Sequence, residues 1–533
     1  MATPRHSRAR SWRYTVAPLA LLVGALAVKP AVAQVVERPM PGPSDGIELP
    51  NRDVMQAPGP EMSPEAKPSV YQRDKFGPDP DYSDVKYDPA EQLKVYGGKH
   101  PVPTQRPIVE LGYPLYDAGA LPEGLSFPFG QKDLSRPQLL VYGDWRTAIA
   151  WNDLGKATTV QLATRINLDV NLQLTGTERF HMFFQPLQQN GQFTHFQFAG
   201  NNNGPNKINN DLNVNPVTVF FEGDAGAILA GWTDEYKSFD LPFGVGKMPL
   251  FFQNGIWFND APIGGAFTIP AKNSPMLDIS NMDVTFFGEA DNVASNAIRS
   301  PSGALDIHAA RLYGFHTEIE RHEGYIEFGY GYTDDTRPNS GFSYHNVTAA
   351  FTKRYWYAIS NSMRFIGNFG QHPDNGAPKT ADGYVFLVEN SVITSLPSTF
   401  VPYFNGWFGH HRPQALARDP GTGGILLNTG INFETDGLTG FPRLDDSANN
   451  TWGGAVGLEY LFDLEQQIVG EVATVQPAGS SIGRIAKGQE YALGLRYQIP
   501  ISDWFIFRAD GMWARRVNDK NVAGIRSEFR WKF

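Results

Sequence analysis

Residues 521–533 read NVAGIRSEFRWKF. Ile525, Phe529, Trp531 and Phe533 fall on odd positions, and Arg526, Glu528, Arg530 and Lys532 fall on even ones. Successive side chains of a strand point to opposite faces. This stretch is therefore a strand with one apolar, aromatic face and one charged face. Residues 160–174, VQLATRINLDVNLQL, repeat the pattern at greater length. Val160, Leu162, Ile166, Leu168, Val170, Leu172 and Leu174 share one parity, and Arg165, Asn167, Asp169 and Asn171 share the other. A globular strand typically has about 5–6 residues, whereas a tilted strand crossing a bilayer needs about 9–11. Length and alternation together predict strands that face hydrocarbon on one side.

The same alternation recurs in EYALGLRYQI, DWFIFRADGMWAR, TWGGAVGLEYLF and GYIEFGYGY. Connections of two kinds join the strands. Tight polar turns occur in LQLTGTERFHMFF, YWYAISNSMRFIGNF, YLFDLEQQIVGEV and YQIPISDWFIFRA, while DGLTGFPRLDDSANN and QPAGSSIGRIAKGQ are long. Short turns alternating with longer loops are the signature of a transmembrane barrel. In hydrocarbon every backbone polar group needs a partner within the protein, so a sheet spans only when closed. The expected fold is all-β: a closed antiparallel transmembrane β-barrel over residues 138–533. At roughly 22 residues per strand with its connection this gives about 18 strands, or 16, within the range of such barrels. Between Asp224 and Asp278 the register is lost, and FDLPFGVGKMPLFFQNGIWFNDAPIGGAF reads as strands interrupted by a loop that folds inward. A soluble β-sandwich would also alternate, but strands this long with aromatic ends would be left unexplained.

Composition agrees. The 533 residues include 54 Gly, 36 Phe, 21 Tyr and 11 Trp, only 19% are charged, and there is no cysteine. Without cysteine, disulfides, thiolate metal sites and cysteine nucleophiles are excluded. Residues 1–33 carry Arg5, Arg8, Arg10 and Arg13, then the apolar run VAPLALLVGALAV, then Ala31–Val32–Ala33. This is the pattern of a secretory signal peptide cleaved before Gln34. Its removal takes away five positive charges and moves the formal charge from −10 to −15, which argues against nucleic acid as a partner. Residues 34–137 are proline-rich with mixed charge and no strand or helix period, and are expected to be extended or disordered. A part-docked strap or plug, or a periplasmic arm that binds a partner, is the sharper alternative.

The chain thus resembles the bacterial outer-membrane β-barrels, which end in an alternating strand with a terminal phenylalanine. FRWKF matches that ending at Phe529, Trp531 and Phe533. The resemblance implies export to the outer membrane, contact with its lipids, and recognition of Phe533 by the barrel-assembly machinery. VGKMPLFFQNGIWFND is loosely similar to the inward-turning regions of alginate-export and phosphate-selective porins, without assigning a family.

A barrel of about 16–18 strands leaves an aqueous channel, so the expected function is a porin for small hydrophilic solutes, anionic or carbohydrate. The candidate pore-lining residues are Arg165, Asp169, Lys247, Glu490, Arg496, Arg508, Asp510, Arg526, Glu528 and Arg530. Basic residues outnumber acidic ones on the wall face of the last strands, which reads either as a basic ladder for anions or as ion pairs bracing the wall. Lys247, Trp257 and Asp260 lie where the inward loop is expected, and Phe251, Phe252 and Trp257 read as a greasy track for sugars or as loop packing. HExxH and a glycine-rich phosphate loop are absent, and His181, His345, His372 and the adjacent His410 and His411 form no metal motif. No enzyme, cofactor or metal is expected. The alternative functions are a barrel that sheathes a protein partner and, more remotely, an outer-membrane enzyme. A homotrimer is one open arrangement, and Arg311, on the lipid parity, marks either a subunit contact or a register shift.

Overall fold

The computed structural model describes residues 105–112, 126–127, 130–131 and 137–533, apart from 190, 199–204, 301–302, 420, 422 and 435–436. The expected signal peptide and most of the proline-rich segment lie outside the described residues.

Eighteen strands form one closed antiparallel ring. In chain order they are β1 Gln138–Asp153, β2 Thr158–Gln173, β3 Arg179–Phe184, β4 Pro216–Asp224, β5 Pro242–Lys247 and β6 Ile263–Ser274. There follow β7 Ile279–Asp291, β8 Ala310–Arg321, β9 Gly324–Asp335, β10 Tyr344–Tyr355, β11 Ile359–Phe369 and β12 Tyr384–Val392. The ring is completed by β13 Phe400–His410, β14 Thr451–Leu461, β15 Gln467–Pro477, β16 Glu490–Pro500, β17 Phe505–Arg516 and β18 Val522–Lys532. Closure is made by β18 on β1, from Ala523 opposite Asp153 to Lys532 opposite Asp144. Beyond that point Gly143 and Phe533 exchange two backbone hydrogen bonds. Val109–Gly112 then pairs with Gln138–Val141, covering an edge that β18 is too short to reach. Unpaired strand edges are costly in a membrane barrel, and this short piece of the proline-rich segment removes one.

The parity read from the sequence is the parity of the wall. Ile525 and Phe529 are exposed on the outer surface, while Arg526 and Glu528 are buried inside. Leu493 and Leu495, Trp452, Val456 and Leu458, and Phe404 and Phe408 are likewise exposed. An apolar belt of this extent on a soluble surface would be anomalous, and it suits a barrel embedded in lipid. Among the described residues no helix is long and apolar enough to span a membrane.

The region of lost register has a physical explanation. β5 has six residues, and Gly246 adopts a φ of 129° that only glycine takes easily. Ahead of β5 the chain forms a helix on the short-turn side, α1 Ala225–Thr233, capped by Asp224, whose Oδ1 accepts from the Ala227 amide at 2.8 Å. After β5 it enters the lumen as a hairpin, Leu250–Phe252 against Phe258–Asp260. Neither element has strand length or strand period, so alternation could not reveal them. Most other connections follow the expected alternation: the side holding the turns at 322–323, 356–358 and 501–504 is tight, and the opposite side carries 185–215, 292–309 and 411–450, although 154–157 and 517–521 on that side are short. By the usual arrangement of such barrels the tight side is periplasmic. Arg311 stands on the exposed parity near the outer rim, in register with Asp334.

Candidate functional site in the lumen

Two inward segments fill the middle of the barrel. The Phe258–Asp260 strand of the first pairs in parallel with Ala417–Arg418 of the long 411–450 connection. Trp257, Phe258, Leu416, Leu426, Phe433 and Leu444 form a buried core with wall residues Ala455, Ala473, Ala492 and Ala514. The wall is small where the plug is large. A Cβ at Gly329 would stand 2.6 Å from the Trp257 ring, and one at Gly494 would stand 2.7 Å from Asn432.

Polar side chains of the wall tie the plug down through its backbone, which would otherwise hold unpaired amides in a dry interior. Trp257 Nε1 donates to Asn346 at 2.9 Å. The Asn405 amide donates to the Thr429 carbonyl, and that of Asn152 to Thr439, both at 2.7 Å. Glu471, 4% exposed, accepts from the Ile431 and Asn432 amides at 2.8 and 2.9 Å and from the Tyr403 hydroxyl. Arg418 crosses between the two segments, donating to Gly255 and Gly423 carbonyls at 2.7 and 2.9 Å. Its burial pushes the guanidinium down to about 10, which leaves it charged at neutral pH. Burial pushes Asp260, at the root of the hairpin, up to about 7, against two backbone amides that donate to it.

Cavities flank this constriction. On the long-loop side lies one of about 490 Å³, with Arg299, Arg412, Arg418 and Arg443 facing it and Asp446 as its one acid. The Nη2 atom of Arg418 is buried there without a hydrogen-bond partner. On the tight-turn side a cavity of about 590 Å³ is lined by amides and hydroxyls, among them Asn361, Asn390, Asn405, Ser362 and Tyr403, with Glu389, Glu434, Glu459 and Arg496. A second, of about 870 Å³, is more apolar and includes Phe220, Phe243, Phe251 and Phe252.

The structure brings four of the ten candidate residues together. Arg496, Asp510 and Arg526 are directly opposite one another on β16, β17 and β18, and Arg508 is two residues from Asp510. All three arginines converge on the Asp510 carboxylate, at 2.8 Å from Arg496, 2.9 Å from Arg508 and 2.7 Å from Arg526. Glu434 of the plug joins Arg496 at 2.7 Å. Glu528 pairs with Arg146 at 2.8 Å, and Arg530 with Asp144 at 3.0 Å. Glu490 is buried against Arg516 and accepts the Asp445 amide, so it serves the plug. Arg165 bonds Asn167 and lies over the Phe193 ring, with Asp169 on the same strand face. Lys247 ends β5 opposite Val219 and Ile263, both exposed on the outer surface, and its Nζ donates to Pro216 O at 3.3 Å. Of the three aromatic residues, Phe251 and Phe252 border the apolar cavity, whereas Trp257 is fully buried in the plug.

The outer arginines were not among the residues singled out from the sequence. They sit in loops without period, and only the topology gathers 299, 412, 418 and 443. The wall anchors Glu471 and Asn346 do lie on regular strands, as polar residues of lumen parity; Glu471 follows Gly470, whereas Asn346 stands between His345 and Val347.

No family model matches the chain, and no curated protein matches it. Among solved structures it is similar to those of Pseudomonas aeruginosa OccK11 (OpdR), with a TM-score of 0.45 and 9% identity over 77% of this chain and 99% of that one. It is also similar to OccK5 (OpdH), at 0.46 and 9% over 74% and 98%, and to OpdK solved with vanillate, at 0.45 and 10% over 74% and 98%.

Proposed function

We propose that this chain is a passive outer-membrane channel for small hydrophilic solutes, and that its outer mouth favours those carrying an anionic group. One observation carries the reading: a closed 18-stranded wall, apolar outside, encloses polar cavities on both sides of a built constriction. The outer cavity presents four guanidinium groups against one carboxylate, and planar guanidinium forks match carboxylate and phosphate groups. The cluster around Asp510 brings three further guanidinium groups to the wall. The inner amide- and hydroxyl-lined cavity suits hydroxyl groups, so hydroxylated solutes fit this part of the path.

The test is the reversal potential of the purified protein in a planar bilayer under a KCl gradient. Open steps with anion preference are expected, and Arg418→Ala combined with Arg443→Ala should reduce that preference. A silent barrel contradicts the channel; cation preference, or one unmoved by the double substitution, contradicts the anionic mouth.

A further inference from the structure

The hairpin joining β8 and β9 places Glu318 directly opposite Glu327 on the lumen face. Asp283 of β7 is opposite Glu318 on its other side. Like charges opposed on neighbouring strands repel and are normally avoided. His316, two residues before Glu318 and on the same face, points both ring nitrogens at this pair. Its Nε2 is 3.4 Å from Glu327 Oε2, and its Nδ1 is 3.9 Å from Glu318 Oε1. His316 is 2% exposed, and its Nε2 has no hydrogen-bond partner. The ring is clamped by the plug, stacked on Phe252 at 4.6 Å and against Trp257 at 5.8 Å.

We infer that His316, Glu318 and Glu327 form a binding site for a divalent transition-metal cation on the lumen wall. One ligand atom from each lies within 4.8 Å of the others. With metal–nitrogen and metal–oxygen bonds of about 2.0–2.1 Å, the edge of a tetrahedral site is about 3.3 Å, so His316 and Glu327 already stand at ligand spacing. Glu318, 61% exposed in its side chain, has the freedom to close the remaining distance. One imidazole with two carboxylates suits Zn²⁺ and its neighbours better than the all-oxygen sites of Mg²⁺ or Ca²⁺. The exposure of Glu318 leaves the fourth position open to water or a passing anion. Phe252, stacked on His316, also borders the apolar cavity, so occupancy cancels the carboxylate charge beside the solute path.

Isothermal titration of the full-length, detergent-solubilised protein with ZnCl₂ tests this, with MgCl₂ as control. The expected result is one Zn²⁺ per barrel, bound in preference to Mg²⁺. Glu318→Gln and Glu327→Gln should each weaken it by at least about tenfold. His410→Ala with His411→Ala, which removes the adjacent pair at 4.1 Å, should leave it intact. Glu318 is exposed, so Glu318→Gln keeps the test valid even if His316 variants fail to fold; heat-modifiable migration on gels checks each barrel. Absence of Zn²⁺ binding, equal binding of Mg²⁺, or binding unchanged by Glu318→Gln with Glu327→Gln would overturn the inference.

Discussion

Replacing Asp510 by Asn is expected to weaken the barrel severely and to shift its selectivity further toward anions. Asp510 is 6% exposed and is shared by three guanidinium groups on three neighbouring strands. A buried ion pair adds little when compared with apolar residues of the same volume, but removal of one partner strands the other. That loss costs about 3–5 kcal/mol for a simple pair. Here one carboxylate serves three cations, and after substitution Glu434, on the plug, remains with Arg496 and Arg508. The heat-modifiable gel shift should occur at a clearly lower temperature, and the reversal potential should move in the anion direction. A variant with wild-type stability and selectivity would show that the cluster is hydrated and of no electrostatic consequence.

The second large effect concerns the plug. Excision of residues 425–445, joined through a short Gly-Ser link, should raise single-channel conductance several-fold. The ends are already adjacent: the Gly424 amide donates to the Asp446 side chain at 2.6 Å, and the Leu426 amide to the Asp446 carbonyl at 3.0 Å. The excised piece contains Leu426, Phe433, Leu438 and Leu444, each buried within the barrel. An 18-stranded wall without such filling encloses a water-filled channel, and conductance rises with the open cross-section. Strand pairing does not pass through this segment, so the wall should still close. Unchanged conductance in the folded variant would mean that ions bypass the plug.

What was legible in the sequence follows from what a lipid-facing strand must be. Alternation over 160–174, 490–499 and 521–533 placed the wall, its two faces and its closing strand, because hydrocarbon allows no compromise on one side of the sheet. The strand number followed from chain length per strand. The plug was only glimpsed, as a loss of register near Lys247, because its core is sequence-distant: Trp257 meets Leu416, and Phe433 meets Trp407. The wall charges were found by parity, yet parity says nothing of pairing. Asp510 is one acid among several in the sequence, and only cross-strand register makes it the hub of three arginines. The metal cluster has the same origin: His316-Thr-Glu318 lies on one strand and Glu327 on the next, joined by a hairpin whose register no linear motif encodes.

The central claim, an apolar exterior and an aqueous interior on one wall, is best measured with two neighbouring residues of β13. The chain has no cysteine, so Phe404→Cys and Asn405→Cys give single labelling sites without further changes. Phe404 is 43% exposed on the outer surface, and Asn405 lines the inner cavity. With nitroxide labels on protein reconstituted in vesicles, position 404 should be relaxed by oxygen and shielded from a water-soluble nickel complex, and position 405 should show the reverse. Equal access of the nickel complex to both positions would contradict a lipid-facing barrel.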